Sequence, residues 1–481
     1  MVLSTRRYLA LLLCLWCLSG LGMGETEESE GAPMEKTEQA ALYSAIQGFV
    51  GDSWNGSDLY PDPCGWTPIQ GVSCDMFDGL WYVTGLSFGT VQDNSLACSK
   101  FPEIRPQLFN LKHLKSLSFF NCFISPNRYL SSISDEQWLE LSTSLETLEL
   151  RSNPGLIGEI PSAITTLTNL QSLVVLENRL TGPLPEDIAK LTGLRRLVLA
   201  GNRFTGKIPE VFGLTELLIL DLSRNSLSGP LPSSVGGLKS LLKLDMSNNN
   251  LEGKLPSELQ FLKNLTLLDM RNNMFSGGLT KAIQEMSSLQ EMAMSNNLLG
   301  GDMMGIKWKK MGNLVILDVS NTGLTGEIPS SIADLKKLRF LGLSNNKLTG
   351  KLIPKMETAM PCLNALYING NNMSGELEFS GTFYQRMGRR FGGWGNPNLC
   401  YPDGEISDSD HIPYGVKPCK SNELTLTEPN SQTLTFDKRV DIKSSKVAPL
   451  GSSSSVVSLG FFWIALSSSL AFFSIECWSI A

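Results

Sequence analysis

From Leu170 to Asn371 aliphatic residues return in one frame, apolar-x-x-apolar-x-apolar, followed by asparagine, a further apolar residue and Gly-x-[Ile/Leu]-Pro. One copy holds Leu170, Leu173, Val175, Asn178, Leu180, Gly182, Leu184 and Pro185; the next holds Leu194, Leu197, Leu199, Asn202, Phe204, Gly206, Ile208 and Pro209. Further copies centre on Asn225, Asn249, Asn273, Asn297, Asn346 and Asn371, and two depart from the frame. Asn153 is followed by one extra residue before Leu156, and Thr322 stands in the asparagine place after Leu314, Leu317 and Val319. From Asn153 the steps run 25, 24, 23, 24, 24, 24, 25, 24 and 25 residues. Upstream, Leu114, Leu117 and Phe119 fit with Cys122 in the asparagine place, and Val83, Leu86 and Phe88 form a worn first copy. The 31-residue step from Cys122 to Asn153 places an insertion in 123–144.

About eleven copies at one period are the signature of leucine-rich repeats. The pattern predicts an α/β repeat fold, a right-handed leucine-rich repeat solenoid of about eleven 24-residue units. In each unit the residues around Leu-x-Leu form a short strand whose leucines share one face, because strand side chains alternate. The asparagine can both donate and accept, and so satisfies backbone groups buried where the chain turns. Glycine permits a tight path after it, and proline keeps the next segment from pairing as a central strand. No unit buries its leucines alone, so roughly 300 residues fold as one stack. With strands about 4.8 Å apart, the concave sheet is about 50 Å long.

The ends of the chain define its compartment. Residues 1–24, with Arg6, Arg7, an apolar run from Tyr8 to Leu18 and small residues near Gly24, have the build of a secretory signal. An N-terminal cap (25–82) opens on an acidic run and an amphipathic helix around Glu35 to Val50; the repeats occupy 83–380 and a C-terminal cap 381–420. A Ser/Thr-rich stalk (421–455) leads to an apolar segment at 456–481, which reads as a glycolipid-anchor signal or as a single span without a cytoplasmic tail. Seven of the ten cysteines lie between signal and tail. In an oxidising compartment Cys64 with Cys74 and Cys400 with Cys419 are expected to close the two ends, and Cys98 to pair with Cys122. Cys362, just before the inward Leu363, is expected to be a buried thiol packed as a small hydrophobe.

Charge and composition remove several function classes. The net charge of -7 opposes a nucleic-acid partner, which would require a basic face. His113 and His411, the two histidines, are far apart in sequence, so neither a histidine zinc site nor a histidine-dependent triad is expected. No catalytic residues, metal or cofactor are predicted.

The 24-residue unit with Leu-x-Gly-x-Ile-Pro resembles the plant-specific class of leucine-rich repeats. The segments Cys64-Gly-Trp to Gly71-Val-Ser-Cys74 and Trp394-Gly-Asn-Pro-Asn-Leu-Cys400 are similar to the end caps of plant receptor-like proteins that lack a kinase domain, and the resemblance spans about 34–420. It implies a protein on the outer face of the cell membrane that perceives a microbial or developmental cue through a separate membrane receptor kinase. No glycine-rich phosphate loop with its lysine and no His-Arg-Asp catalytic loop is present in the chain.

Outward positions of the predicted strands form a column: Glu149, Val174, Val198, Asp221, Asp245, Asp269, Ala293, Asp318, Gly342 and Tyr367. Asp221, Asp245, Asp269 and Asp318 make an acidic stripe, and adjacent columns supply Arg151, Arg224 and Arg271. With Tyr367 these aspartates, Arg224 and Arg271 are the candidate ligand-binding residues, suited to basic or hydroxylated peptides and polyamine-like groups. The opposing reading is that aspartates beside serine and asparagine simply solvate an exposed strand. Phe120, Leu176, Ile219, Leu267, Ile316 and Phe340 add apolar groups to the same predicted face. The ligand class stays open among peptide, glycan and protein. Sequons at Asn55, Asn264 and Asn372 are candidate glycosylation sites. The alternative function is inhibition of an extracellular wall-degrading enzyme, since inhibitors of that kind use similar repeats.

Overall fold

The structure is a computed structural model and describes residues 33–90, 96–125, 128–129, 133–402 and 413–419. The signal segment, the stalk and the C-terminal apolar segment lie outside these residues, as does His411. No helix among the described residues is long and apolar enough to cross a membrane.

The chain enters through helix α1 (Lys36–Val50), whose Ala41, Leu42, Ala45, Ile46 and Phe49 are buried. Their three- and four-residue spacing puts them on one helix face. Phe49 stacks on the core against Phe88 and Phe119 at ring centroids of 4.3 and 4.9 Å, so the helix seals the open end of the first units. Glu38 is buried on this helix and accepts a hydrogen bond from Val83 N at 3.1 Å. Burial outweighs that bond and pushes its carboxyl up to about 7.

A hairpin of Val72–Phe77 and Leu80–Phe88 then starts a 14-stranded sheet. Only the first pair is antiparallel; from Leu80–Phe88 onward each strand adds to the sheet in parallel, and the last is Phe391–Gly392. Register is strict: Leu220 pairs with Leu244, Leu244 with Leu268 and Leu268 with Met292. The inward residues form one continuous core from Ala41 to Leu399. The leucine-rich repeat solenoid expected from the period is therefore the fold.

The asparagines hold the stack together. Asn249 Oδ1 accepts from Leu227 N at 3.0 Å, and its Nδ2 donates to Leu222 O in the unit before at 3.0 Å. The same pair of bonds recurs at Asn273, Asn297, Asn346 and Asn371. Thr322 fits because its Oγ1 donates to Val319 O at 2.7 Å, while Asn346 Oδ1 accepts from the N–H groups of both Thr322 and Leu324. Asn153 likewise serves the Cys122 unit, accepting from Cys122 N and Phe123 N. Asn396 extends the ladder one unit further, accepting from Met373 N and donating to Ile368 O.

Most units also carry a second short strand, which the sequence reading did not anticipate. Seven of these, from Arg128–Tyr129 to Met274–Ser276, form a lateral sheet. The repeat glycine ends its strand at positive φ, 78° at Gly182 and 79° at Gly229, where a side chain would be strained. The proline follows as the cap of a short 3-10 turn, as Pro185 does for Glu186–Lys190. The lateral sheet ends at Ser276 and a separate one begins at Thr325–Glu327, across a unit in which Met303 and Met304 replace the Ile-Pro of the frame.

Disulfides join Cys64 to Cys74, Cys98 to Cys122 and Cys400 to Cys419. Cys362, expected to be a buried thiol, is disulfide-bonded instead. Its buried position made a packed thiol the natural inference, but burial alone does not exclude a bond.

Candidate ligand-binding face

The parallel register turns every outward strand position into a column across the sheet. Val198, Asp221, Asp245, Asp269, Ala293, Asp318, Gly342 and Tyr367 are consecutive register partners. A second column two residues earlier reads Arg196, Ile219, Lys243, Leu267, Glu291, Ile316, Phe340 and Ala365. Side chains at both positions stand away from the leucine core because strand faces alternate.

The aspartates are bound to their own strands. Asp221 Oδ1 accepts from Ser223 N and Oγ at 3.1 and 2.7 Å, and Asp245 Oδ1 from Ser247 N and Oγ at 3.1 and 2.8 Å. Asp318 Oδ1 accepts from Ser320 N at 3.1 Å. These bonds stabilise the exit from each strand whether or not a ligand ever binds.

Cations neutralise part of the stripe. Lys243 Nζ lies 3.0 Å from Asp221 and 3.5 Å from Asp245. Burial alone would lower its ammonium, but the two carboxylates outweigh that and hold it above its ordinary value. Arg271 grips Asp269 through Nε at 3.0 Å and Nη2 at 2.6 Å, a fork geometry that makes a strong pair. Between Ile219 and Asp318 five carboxylates, Asp221, Asp245, Asp269, Glu291 and Asp318, thus face two cations, with Arg196 on the preceding strand shared between Glu149 and the field at Asp221, and among the described residues Glu291 and Asp318 have no ion-pair partner. The excess acts on Asp245, whose carboxyl is pushed up to about 6, first by burial and then by Asp221 and Asp269, against Lys243 and Ser247. Burial and Asp269 push Glu291 up as well.

Arg151 pairs with Glu149 at 2.9 Å and lies, like Arg271, in the column just beyond the stripe. Arg224 lies one position further out, at a left-handed φ of 56°, paired with Glu177 at 3.3 Å. Toward the N-terminal end the face turns apolar, with Val174, Val198 and Ala200 buried under half-buried Leu176 and Ile219. At the other end the rings of Phe340 and Tyr367 lie 5.7 Å apart.

Two features of this face escaped the sequence reading. A second amide ladder flanks the stripe, in which Asn272 donates to Asn248, Asn296 to Asn272 and Asn321 to Asn296 at 2.7–2.8 Å. Its signal is the Asn-Asn doublet at 248–249, 272–273 and 296–297. The other feature is a two-unit alternation: Ile219-Leu220-Asp221, Leu267-Leu268-Asp269 and Ile316-Leu317-Asp318 occupy every second strand. The sequon asparagines Asn55, Asn264 and Asn372 are all exposed, Asn264 just ahead of the Leu267–Asp269 strand and Asn372 just behind the ladder residue Asn371.

Comparison with known proteins agrees with the repeat geometry. The Leucine rich repeat family pattern matches residues 193–251, and a related Leucine Rich Repeat pattern matches 313–335. Over 170 residues the chain is 62% identical to Piriformospora indica-insensitive protein 2 of Arabidopsis thaliana, a match covering 35% of this chain and 39% of that protein. The crystal structure of PEPR1-AtPEP1 superposes with a TM-score of 0.57 at 25% identity, covering 76% of this chain and 56% of that one. The ectodomain of the plant membrane receptor kinase GASSHO1/SCHENGEN3 from Arabidopsis thaliana, in complex with CASPARIAN STRIP INTEGRITY FACTOR 2, superposes with a TM-score of 0.52 at 25% identity, covering 76% and 47%. Repeat period, asparagine ladder, family patterns and relatives agree on a leucine-rich repeat protein similar to those of plants.

Proposed function

We propose that this protein is a non-catalytic recognition module of the plant cell surface, which binds an extracellular cue on its concave sheet and acts through a partner receptor kinase. The observation that carries the reading is the concave face itself: 14 strands present ordered columns of apolar, acidic and amide groups on an open surface. An open sheet suits an elongated ligand and does not exclude water as a catalytic cleft would. The similarity to the ectodomain of GASSHO1/SCHENGEN3, a receptor kinase solved in complex with a factor, supports a ligand-binding role.

Tethering at the outer membrane surface, by lipid or by a single span, belongs to the same proposal, as do glycans at Asn55, Asn264 and Asn372. Affinity capture of the tagged protein from its own membrane, followed by identification of co-purifying kinases, tests the partner. Recovery of no kinase after crosslinking, together with inhibition of a secreted pectinase by the purified protein, would replace this reading with the wall-enzyme inhibitor. Phospholipase treatment of intact cells separates the two anchors, since only a lipid-anchored protein is released.

A further inference from the structure

The two-unit alternation sets the spacing a ligand must meet. Strands Ile219–Asp221, Leu267–Asp269 and Ile316–Asp318 each place a half-buried aliphatic residue beside an aspartate, with the strands Lys243–Asp245 and Glu291–Ala293 between them. At about 4.8 Å per strand, equivalent groups recur every ~9.6 Å along the solenoid axis. A polyproline II helix turns once every three residues at about 3.1 Å per residue, a repeat of ~9.3 Å. An ordinary extended strand repeats its side chains every ~6.7 Å and drifts out of step with the alternation within one turn. The mismatch for polyproline II is only ~0.3 Å per turn.

The sides of such a helix are chemically matched too. One column offers Ile219, Leu267 and Ile316, which suit pyrrolidine rings; Phe340 continues it on the next strand. The neighbouring column offers Asp221, Asp269 and Asp318, in a field where five carboxylates face two cations. A cation at every third position of the ligand lies over every second strand, and the proline beside it meets the aliphatic column. The position of greatest unmet charge is around Glu291 and Asp318, which lack ion-pair partners among the described residues.

We infer that the concave face between Ile219 and Phe340 docks a basic polyproline II segment, three residues of ligand to every two repeats. This inference rests on the concave face being the ligand site and goes beyond it by fixing ligand conformation, charge and period. A rigid ligand of this kind loses little conformational entropy on docking, so it should outbind a flexible chain of equal charge.

The test compares three synthetic peptides, (Pro-Pro-Lys)4, (Gly-Gly-Lys)4 and (Pro-Pro-Glu)4, by calorimetry against the purified full-length protein. The expected result is that (Pro-Pro-Lys)4 binds at least ten-fold more tightly than (Gly-Gly-Lys)4, that (Pro-Pro-Glu)4 does not bind, and that Asp318→Lys weakens (Pro-Pro-Lys)4 ten-fold or more. Ile316→Ser should weaken (Pro-Pro-Lys)4 while leaving (Gly-Gly-Lys)4 unchanged; circular dichroism of each variant checks that it is folded. Equal binding of the two lysine peptides, both lowered by Asp318→Lys, would overturn the polyproline inference while leaving the concave face as the site. Binding of (Pro-Pro-Lys)4 that ignores both substitutions would overturn the inference and count against the concave face as well. Absence of (Pro-Pro-Lys)4 binding at millimolar concentration would overturn the inference alone.

Discussion

Asn273 can be removed with a calculable loss. Its Oδ1 accepts from Leu251 N at 3.0 Å, and its Nδ2 donates to Met246 O at 2.9 Å, with longer bonds to Met270 O and Arg271 O at 3.2 Å. Asn273→Ala leaves the Leu251 N–H and the Met246 carbonyl buried without these partners. At about 1–3 kcal/mol for each of the two orphaned groups, the variant loses about 2–6 kcal/mol. Asn296→Ala is the control: its bonds with Asn272 and Asn321 are exposed and water replaces them, so its loss of about 1–2 kcal/mol comes mainly from alanine at a left-handed φ of 58°. Asn273→Thr should lose nearly as much as Asn273→Ala, because the Thr322 hydroxyl reaches only the carbonyl three residues back, the equivalent of Met270 O, and leaves the bonds to Met246 O and Leu251 N unmade. The assay is urea unfolding followed by circular dichroism, comparing midpoints because a repeat array can unfold in stages. If Asn273→Ala shifts the midpoint no more than Asn296→Ala does, the inward asparagines do not hold the stack.

Asp245 makes stability pH-dependent with a defined sign. Its folded value of about 6 lies above the ordinary 3.8, so the folded state holds the proton between these values; stability falls as pH rises from about 4 to about 6 and is flat beyond, by at most about 3 kcal/mol. Asp245→Asn should flatten that part of the unfolding-midpoint profile, and an unaltered profile would refute the assignment. Replacing both Cys98 and Cys122 by serine opens a link between residues 24 apart, which should cost about 3 kcal/mol, read as a lowered midpoint relative to the native chain. A glycosidase that removes N-linked glycans should lower the apparent mass in three steps on partial digestion, and Asn264→Gln should remove one of them.

The inward half of the molecule was legible in the sequence because burial imposes a strict rule on it. A leucine that slips by one residue leaves the core, so Leu220, Leu244 and Leu268 stay in frame and announce the fold. Asn249 and Asn273 are held as tightly, since each must satisfy buried backbone groups. The lateral sheet was not legible. Strands such as Arg203–Gly206 bury one residue of four, too little to write a period of their own. Cys362 shows another limit, because a buried cysteine before an inward leucine reads the same whether it is a thiol or part of a bond.

The outward half follows a different logic, and its exceptions carry the functional information. Every aspartate of the stripe has a local role through the serine or arginine two residues on, so Asp221 or Asp245 alone says little about a ligand. Local structure does not require five carboxylates against two cations, nor does it require the aliphatic partner of the aspartate to recur on alternate strands. The raised carboxyls of Asp245 and Glu291 show that the folded state holds this charge at a cost. A cation brought by a ligand would relieve that cost, so binding should strengthen as pH rises through about 6 and Asp245 gives up its proton. Titration of (Pro-Pro-Lys)4 at pH 5 and pH 7 checks this coupling: affinity should be several-fold higher at pH 7, and Asp245→Asn should abolish the difference. Equal affinities at both pH values would mean that the excess charge belongs to the solvated surface and that the ligand is held elsewhere.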